Sequence, residues 1–336
     1  MTHDLLQLTP NGLYCAAGDF YIDPWQPVAR AVITHAHADH ARPGSRRYLT
    51  SPTGARMLAP RVDPGAQIRA LPFGEELLIN DVSISLHPAG HLLGSAQVRV
   101  EHRGEVWVVS GDYKIEPDVT CEAFEPVRCH TFITECTFGL PIYRWRPQAE
   151  VFRAINTWWR ENQARGQTSL LYAYALGKAQ RLLAGLDPSI GPIMVHGAVK
   201  RFVDLYREAG MPQPEVLYAD DDAARTHRGQ AIVIAPPSAN GMPGWVRKFG
   251  SSAHAFASGW MTIRGARRRR AMDRGFVLSD HADWPGLLTT IRATGAERIG
   301  VTHGYVNQMA RYLNENGWRA EIIPTRFEGE SGEEDT

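Results

Sequence analysis

Through much of the first 140 positions apolar and polar residues alternate with a period of two. The stretches 14–23, 30–36, 77–89, 95–112 and 131–138 mix β-branched and aromatic residues in this way, which predicts short strands joined by turns. Arg103-Gly104, between two alternating runs, predicts the centre of a hairpin. One helix is expected to begin near Pro52-Thr53 and to carry Met57 and Leu58. After Pro147 the period lengthens. Val151, Ile155, Trp158 and Trp159 fall on one face, with Pro147 before them and Gly166 after, which predicts an amphipathic helix. The stretches 168–186, 191–210 and 229–239 repeat strand, turn and helix, the pattern of a parallel sheet with helices on its faces. Near 276 the first texture returns, with apolar strands ending in histidine-bearing turns at 275–284 and 297–309. The reading is α/β. One domain, 1–140 with 276–336, is interrupted by another, 141–275.

Composition narrows the function classes. The chain has 336 residues, 43% apolar and 21% charged, as an ordinary globular protein has. No apolar run reaches the roughly 18 residues of a membrane span, and the N-terminus lacks a basic, then apolar, secretory signal. Cys15, Cys121, Cys129 and Cys136 form no C-x-x-C pair, so reduced thiols and a cytoplasmic location are expected. Net charge is zero, which argues against a general polyanion binder. Charge is uneven, however: 263–275 is strongly basic, 218–224 is acidic, and the acidic tail 328–336 is expected to be disordered.

The chemistry concentrates in VITHAHADHARPG, 32–44. His35, His37, Asp39 and His40 offer imidazole and carboxylate ligands suited to Zn²⁺, Mn²⁺ or iron. His35 and His37 point the same way on an extended chain; Asp39 and His40, where the chain is expected to turn into a helix, can face a second point. One loop cannot fill two coordination spheres. His91 in a glycine-flanked turn, and Asp112 and His303 just beyond apolar strands, are the further candidates.

The series H-x-H-x-D-H, G-H, S-G-D and H-G resembles the metallo-β-lactamase superfamily. That resemblance implies two sheets sandwiched between helices, an αββα fold, with Asp23 supporting the metal loop. It further implies two divalent ions, Zn²⁺ with Mn²⁺ as the alternative. His35, His37, His91 and Asp112 would hold one; Asp39, His40, Asp112 and His303 would hold the other, with Asp112 bridging. Glu135 in ITECTFG, His281 in LSDHADW and His303 in VTHGY are similar to motifs A, B and C of the β-CASP nucleases, which carry an inserted α/β domain. The phrases TECTFGLPIYRW and SGDYKIEPD look most like the bacterial ligase-associated DNA exonucleases.

The implied activity is DNA hydrolysis in repair, with a ligase and a helicase as functional partners and no membrane. A metal-bridging hydroxide would attack phosphorus. His281 would act as general acid, Glu135 would orient it or favour its charged form, and Asp39 would complete the catalytic set. Asp283 is expected to cap the following helix or to orient a neighbour rather than to bind metal. Arg264, Arg267, Arg268, Arg269, Arg270 and Arg274 are candidate phosphate contacts; Tyr143, Trp145 and Trp260 are either base-stacking or packing residues. The alternatives are an RNA-processing nuclease of the same superfamily and a small-molecule metallo-hydrolase.

Overall fold

The computed structural model describes residues 4–263 and 272–326. The chain forms two compact units. One runs to Ile142 and resumes at His281; the other runs from Tyr143 to Asp280.

In the first unit, six strands cross one sheet in chain order: Gln7–Thr9, Gly12–Cys15, Phe20–Ile22, Arg30–Val32, Arg47–Thr50 and Gln67–Ala70. A second sheet has the order Arg319–Ile322, Arg298–Gly304, Thr131–Cys136, Glu105–Val109, Ala96–His102, Val82–Pro88, Glu76–Ile79. Its strands Glu105–Val109, Thr131–Cys136 and Arg298–Gly304 are parallel neighbours, while the four from Glu76 to Val109 form an antiparallel meander. His102 pairs with Glu105 across Arg103 (φ +53°) and Gly104 (φ +82°), the two left-handed residues that a type I′ hairpin requires.

The period of two sorts side chains between cores. Val32, Val109 and Ile133 belong to an apolar cluster built from both sheets. Their neighbours point the other way. Ala31 and Ile33 pack with Leu58 of helix Pro52–Leu58; Val108 and Phe132 pack with Leu287 and Ile291 of helix Trp284–Thr294 and with Met309 and Leu313 of helix Val306–Glu315. Burying each large side chain contributes about 1.5–3 kcal/mol. Asp283 caps its helix as expected, its Oδ1 accepting the Gly286 N–H at 2.9 Å.

The second unit has a parallel sheet, in the order Leu217–Tyr218, Ile193–Val195, Ile232–Ala235, Thr168–Tyr172, Ser252–Ala257, Arg274–Phe276. Helix Gln148–Ala164 buries Val151, Ile155, Trp158 and Trp159. The second unit continues to Asp280. Arg274–Phe276 pairs with Ser252–Ala257, and beyond it Arg181 donates to the Ser279 carbonyl and pairs with Asp280, which keeps this stretch in the second unit. No helix among the described residues is long and apolar enough to cross a membrane. Arg264, Arg267, Arg268, Arg269 and Arg270, and the tail 328–336, lie outside the described residues.

Candidate metal centre

Parallel strands deliver polar residues at their carboxyl ends. Glu105–Val109 leads to Asp112, Thr131–Cys136 carries Glu135, and Arg298–Gly304 carries His303. The pairing slips at the last of these. Glu135 faces Thr302, Cys136 faces Gly304, and His303 is the extra residue of a bulge, at φ +60°. Gly304 must be glycine there, because a Cβ would sit 2.4 Å from the Cys136 carbonyl oxygen. Gly111 likewise lets the Asp112 loop approach Thr34, whose side chain would lie 2.6 Å from any Cβ.

In the other sheet, strand Arg30–Val32 runs out towards His35. The chain then makes a hydrogen-bonded turn, with the His40 and Ala41 N–H groups both donating to the His37 carbonyl at 3.2 and 2.8 Å. The helix expected after Asp39 does not form. Pro43 disfavours helical backbone at Arg42, and Gly44 takes φ +94°. Asp23 fixes this turn. Its Oδ1 accepts the Thr34 N–H at 2.8 Å; its Oδ2 accepts the Thr34 hydroxyl at 2.5 Å and His40 Nδ1–H at 2.8 Å.

These turns meet. Ligand atoms of His35, His37, His91 and Asp112 lie within 4.8 Å of one another, as do those of His40, Asp112 and His303, and those of Asp112, Glu135 and His281. Asp112 is common to all three groups. Asp39 belongs to none of them; its Oδ2 stands 3.8 Å from His40 Nε2.

The hydrogen bonds assign tautomers. The single Thr34 hydroxyl proton goes to Asp23, so at 3.0 Å His35 Nδ1 must be the donor. That leaves the lone pair on His35 Nε2, which is buried without a hydrogen-bond partner, 3.5 Å from Asp112 Oδ2. His91 Nε2 and His37 Nδ1 face each other at 3.1 Å. A buried imidazole lone pair aimed at a carboxylate, with two more rings beside it, fits a divalent cation.

Charge in the cluster is finely divided. Burial holds the His35 ring well below the ordinary imidazole range, and His40 beside it acts in the same sense. Burial also acts to lower His40, but the carboxylates of Asp39, Asp112 and Asp23 outweigh it and raise the ring to about 10. Burial would raise Asp112, yet His303, His40 and His281 hold it well below the usual carboxylate range. His303 is raised: burial opposes this and Asp112 overcomes it. A divalent cation would compete with the His40 and His303 protons for the same carboxylates.

His281 stands against this cluster. Its ring centroid is 4.7 Å from that of His91, and its Nδ1 meets both Glu135 oxygens, at 3.0 and 2.8 Å. Glu135 is itself held. Oε1 accepts the Tyr113 N–H at 2.8 Å and Oε2 accepts the Thr137 hydroxyl at 2.5 Å.

Tyr143 is fully buried and packs edge-on against Trp260 at 5.8 Å, so it is a packing residue. Arg274 lies over the Phe276 ring at 5.1 Å. Sequence reading missed a buried ion group in the second unit: Asp280 lies between Arg181 Nη1 at 2.9 Å and Lys178 Nζ at 3.6 Å. The signal was two cations and a glutamine, GKAQR, on the buried side of a helix that otherwise reads as apolar.

No family model matches the chain. Over 316 residues, 93% of its length, it is 34% identical to a protein of Opitutus terrae named "Probable DNA ligase". Over 124 residues, 36% of its length, it is 34% identical to the "Endoribonuclease YSH1" of Gibberella zeae. The chain spans only 30% of the first relative and 15% of the second. Among solved structures, an Enterococcus faecalis protein of unknown function aligns with 89% of this chain and 80% of its own, at TM-score 0.58 and 12% identity, a likeness of fold.

Proposed function

We propose that the chain is a metal-dependent phosphodiesterase of the metallo-β-lactamase superfamily, β-CASP branch, acting as a DNA exonuclease. The observation that carries this reading is the Glu135–His281 pair set against the histidine–aspartate cluster. A hydrolase acting only on activated small molecules would not need a proton donor held beside its ligands. The order helix, sheet, sheet, helix implied by the three apolar clusters agrees with the αββα sandwich, and the parallel sheet of the second unit agrees with an inserted domain.

His35, His37, His91 and Asp112 would hold one divalent ion, and Asp39, His40, Asp112 and His303 a second, Zn²⁺ or else Mn²⁺. Such ions lower the pKa of water to near 7 and offset charge growing on phosphoryl oxygens. The chain supplies the rest. Thr34 and Asp23 fix the tautomers of His35 and His40, so that each presents Nε2. Glu135 holds Nδ1–H of His281 and favours the imidazolium, whose Nε2–H would be given to the leaving oxygen, leaving the neutral Nδ1–H ring. Arg264, Arg267, Arg268 and Arg270, which precede His281 in the chain, would contact phosphates.

DNA is preferred to RNA because the ligase-named relative matches over 93% of the chain and the endoribonuclease over 36%. The same relative supports a ligase as a functional partner in repair; a helicase is proposed on the family resemblance alone. The test is digestion of end-labelled DNA and RNA of both polarities, before and after chelation and readdition of Zn²⁺ or Mn²⁺, with Asp39→Ala as control. Metal-restored release of mononucleotides from DNA is expected. Equal digestion without metal, or cleavage of RNA alone, rejects the reading.

A further inference from the structure

A second feature of the first unit lies apart from the metal centre. Two strands that end their sheets, Gln67–Ala70 and Glu76–Ile79, line one groove of about 350 Å³. Its accessible apolar lining is aliphatic, from the half-buried Leu77 and Ile79, with Phe20, Val32, Tyr48 and Leu49 buried behind them. Its polar lining is cationic, from Arg30, Arg47 and Arg69, with Gln67.

The register makes this costly arrangement plain. Arg30 lies directly opposite Arg47, which lies opposite Gln67, and Arg69 is opposite Leu49 in the next row. Adjacent strands are about 4.8 Å apart, so like charges are stacked across the sheet, an arrangement that is destabilising by itself. Asp19 pairs with Arg30 at 3.5 Å. Arg47 and Arg69 are exposed and make no ion pair among the described residues.

Three occupants can be weighed. A nucleic-acid strand would want an exposed aromatic face for its bases, and Phe20 and Tyr48 are each only 1% exposed. The chain's own acidic tail, EGESGEEDT, has no aliphatic side chain to cover the floor. A peptide that alternates carboxylates with aliphatic residues satisfies both linings at once. Extended, it would present one row to the arginines and the other to Leu77 and Ile79, and it could hydrogen-bond to an open strand edge.

We propose that this groove is a docking site for an extended acidic segment of a partner protein, with carboxylates on Arg47 and Arg69 and aliphatic side chains on the floor. It is independent of the nuclease reading. The probe is a fluorescent peptide of about ten residues alternating glutamate and valine, titrated by anisotropy against the full chain. Replacing Arg47 and Arg69 by alanine is expected to weaken binding at least about tenfold while metal-dependent nuclease activity stays unchanged. A probe with serine for valine should bind several-fold more weakly. In hydrogen exchange on the unaltered protein, the probe should protect 67–70 and 76–79. Undiminished binding to the double variant, protection confined to the segment around His35–His40, or displacement of the peptide by oligothymidylate with the same arginine dependence would overturn the proposal.

Discussion

Glu135 and His281, separated by 146 positions in the chain, meet through two contacts of 2.8 and 3.0 Å on a single ring nitrogen. Both residues are almost wholly buried, and Thr137 and the Tyr113 N–H occupy the other sides of the carboxylate. Nδ1 is therefore committed to Glu135 and the ring has a fixed facing before any substrate arrives, so that an added proton would sit on Nε2.

Replacing His281 by alanine should lower kcat for ordinary phosphodiesters by about 10²–10⁴-fold. Glu135→Gln keeps the shape and should cost less. The loss should shrink strongly on a p-nitrophenyl phosphodiester, whose leaving group needs no proton. Single-turnover rates on the two substrates decide; an equal loss on both sinks the acid role.

Asp23 is in neither proposed ligand set, yet it accepts from the Thr34 N–H, the Thr34 hydroxyl and His40 Nδ1–H. Asp23→Ala should weaken metal affinity by about 10–100-fold, the usual effect of removing a group that orients a ligand. Competition with a chromogenic chelator measures it. Unaltered affinity would mean that the loop keeps its shape without Asp23.

For the protein stripped of metal with a chelator, the pH dependence has a definite sign. His40 is raised from 6.5 to about 10, so its protonation contributes stability that is complete below 6.5 and lost as pH climbs through about 10. Denaturant midpoints should fall across that window, and the fall should be smaller in His40→Gln. Because metal must displace that proton, affinity for the metal should rise with pH over the same window. Parallel curves for the variant and the parent would remove His40 from the account.

Asp280 is the buried counter-charge to Arg181 and Lys178. Asp280→Ala leaves two buried cations without it, and removing one partner of a buried pair costs about 3–5 kcal/mol. Urea unfolding should show this loss. A change under about 1 kcal/mol would indicate that the cations relax to other partners or to water.

Much of this was legible beforehand where it is local. Alternation marked the strands of the first unit, the wider period marked helix Gln148–Ala164, and two residues sufficed for the hairpin at Arg103-Gly104. Asp283 could be read as a cap from its own helix. The candidate ligands were also legible as residue types, since imidazoles and carboxylates crowd one short loop and recur at strand ends.

Other features depend on residues distant in the chain. The bulge that pushes His303 out exists only because Thr131–Cys136 and Arg298–Gly304 pair with a slip of one residue. The second unit runs on to Asp280 because Arg274–Phe276 pairs with Ser252–Ala257 and Asp280 pairs with Arg181, contacts invisible to periodicity. Asp39 looks equivalent to its neighbours in sequence, yet the turn held by Asp23 sets it at the margin of the groups around Asp112. Sequence by itself determined which side chains were available and the local geometry of the segments that carry them. Only the tertiary structure decided which of those atoms meet, because convergence within 5 Å depends on sheet register and loop closure rather than on the order of residues.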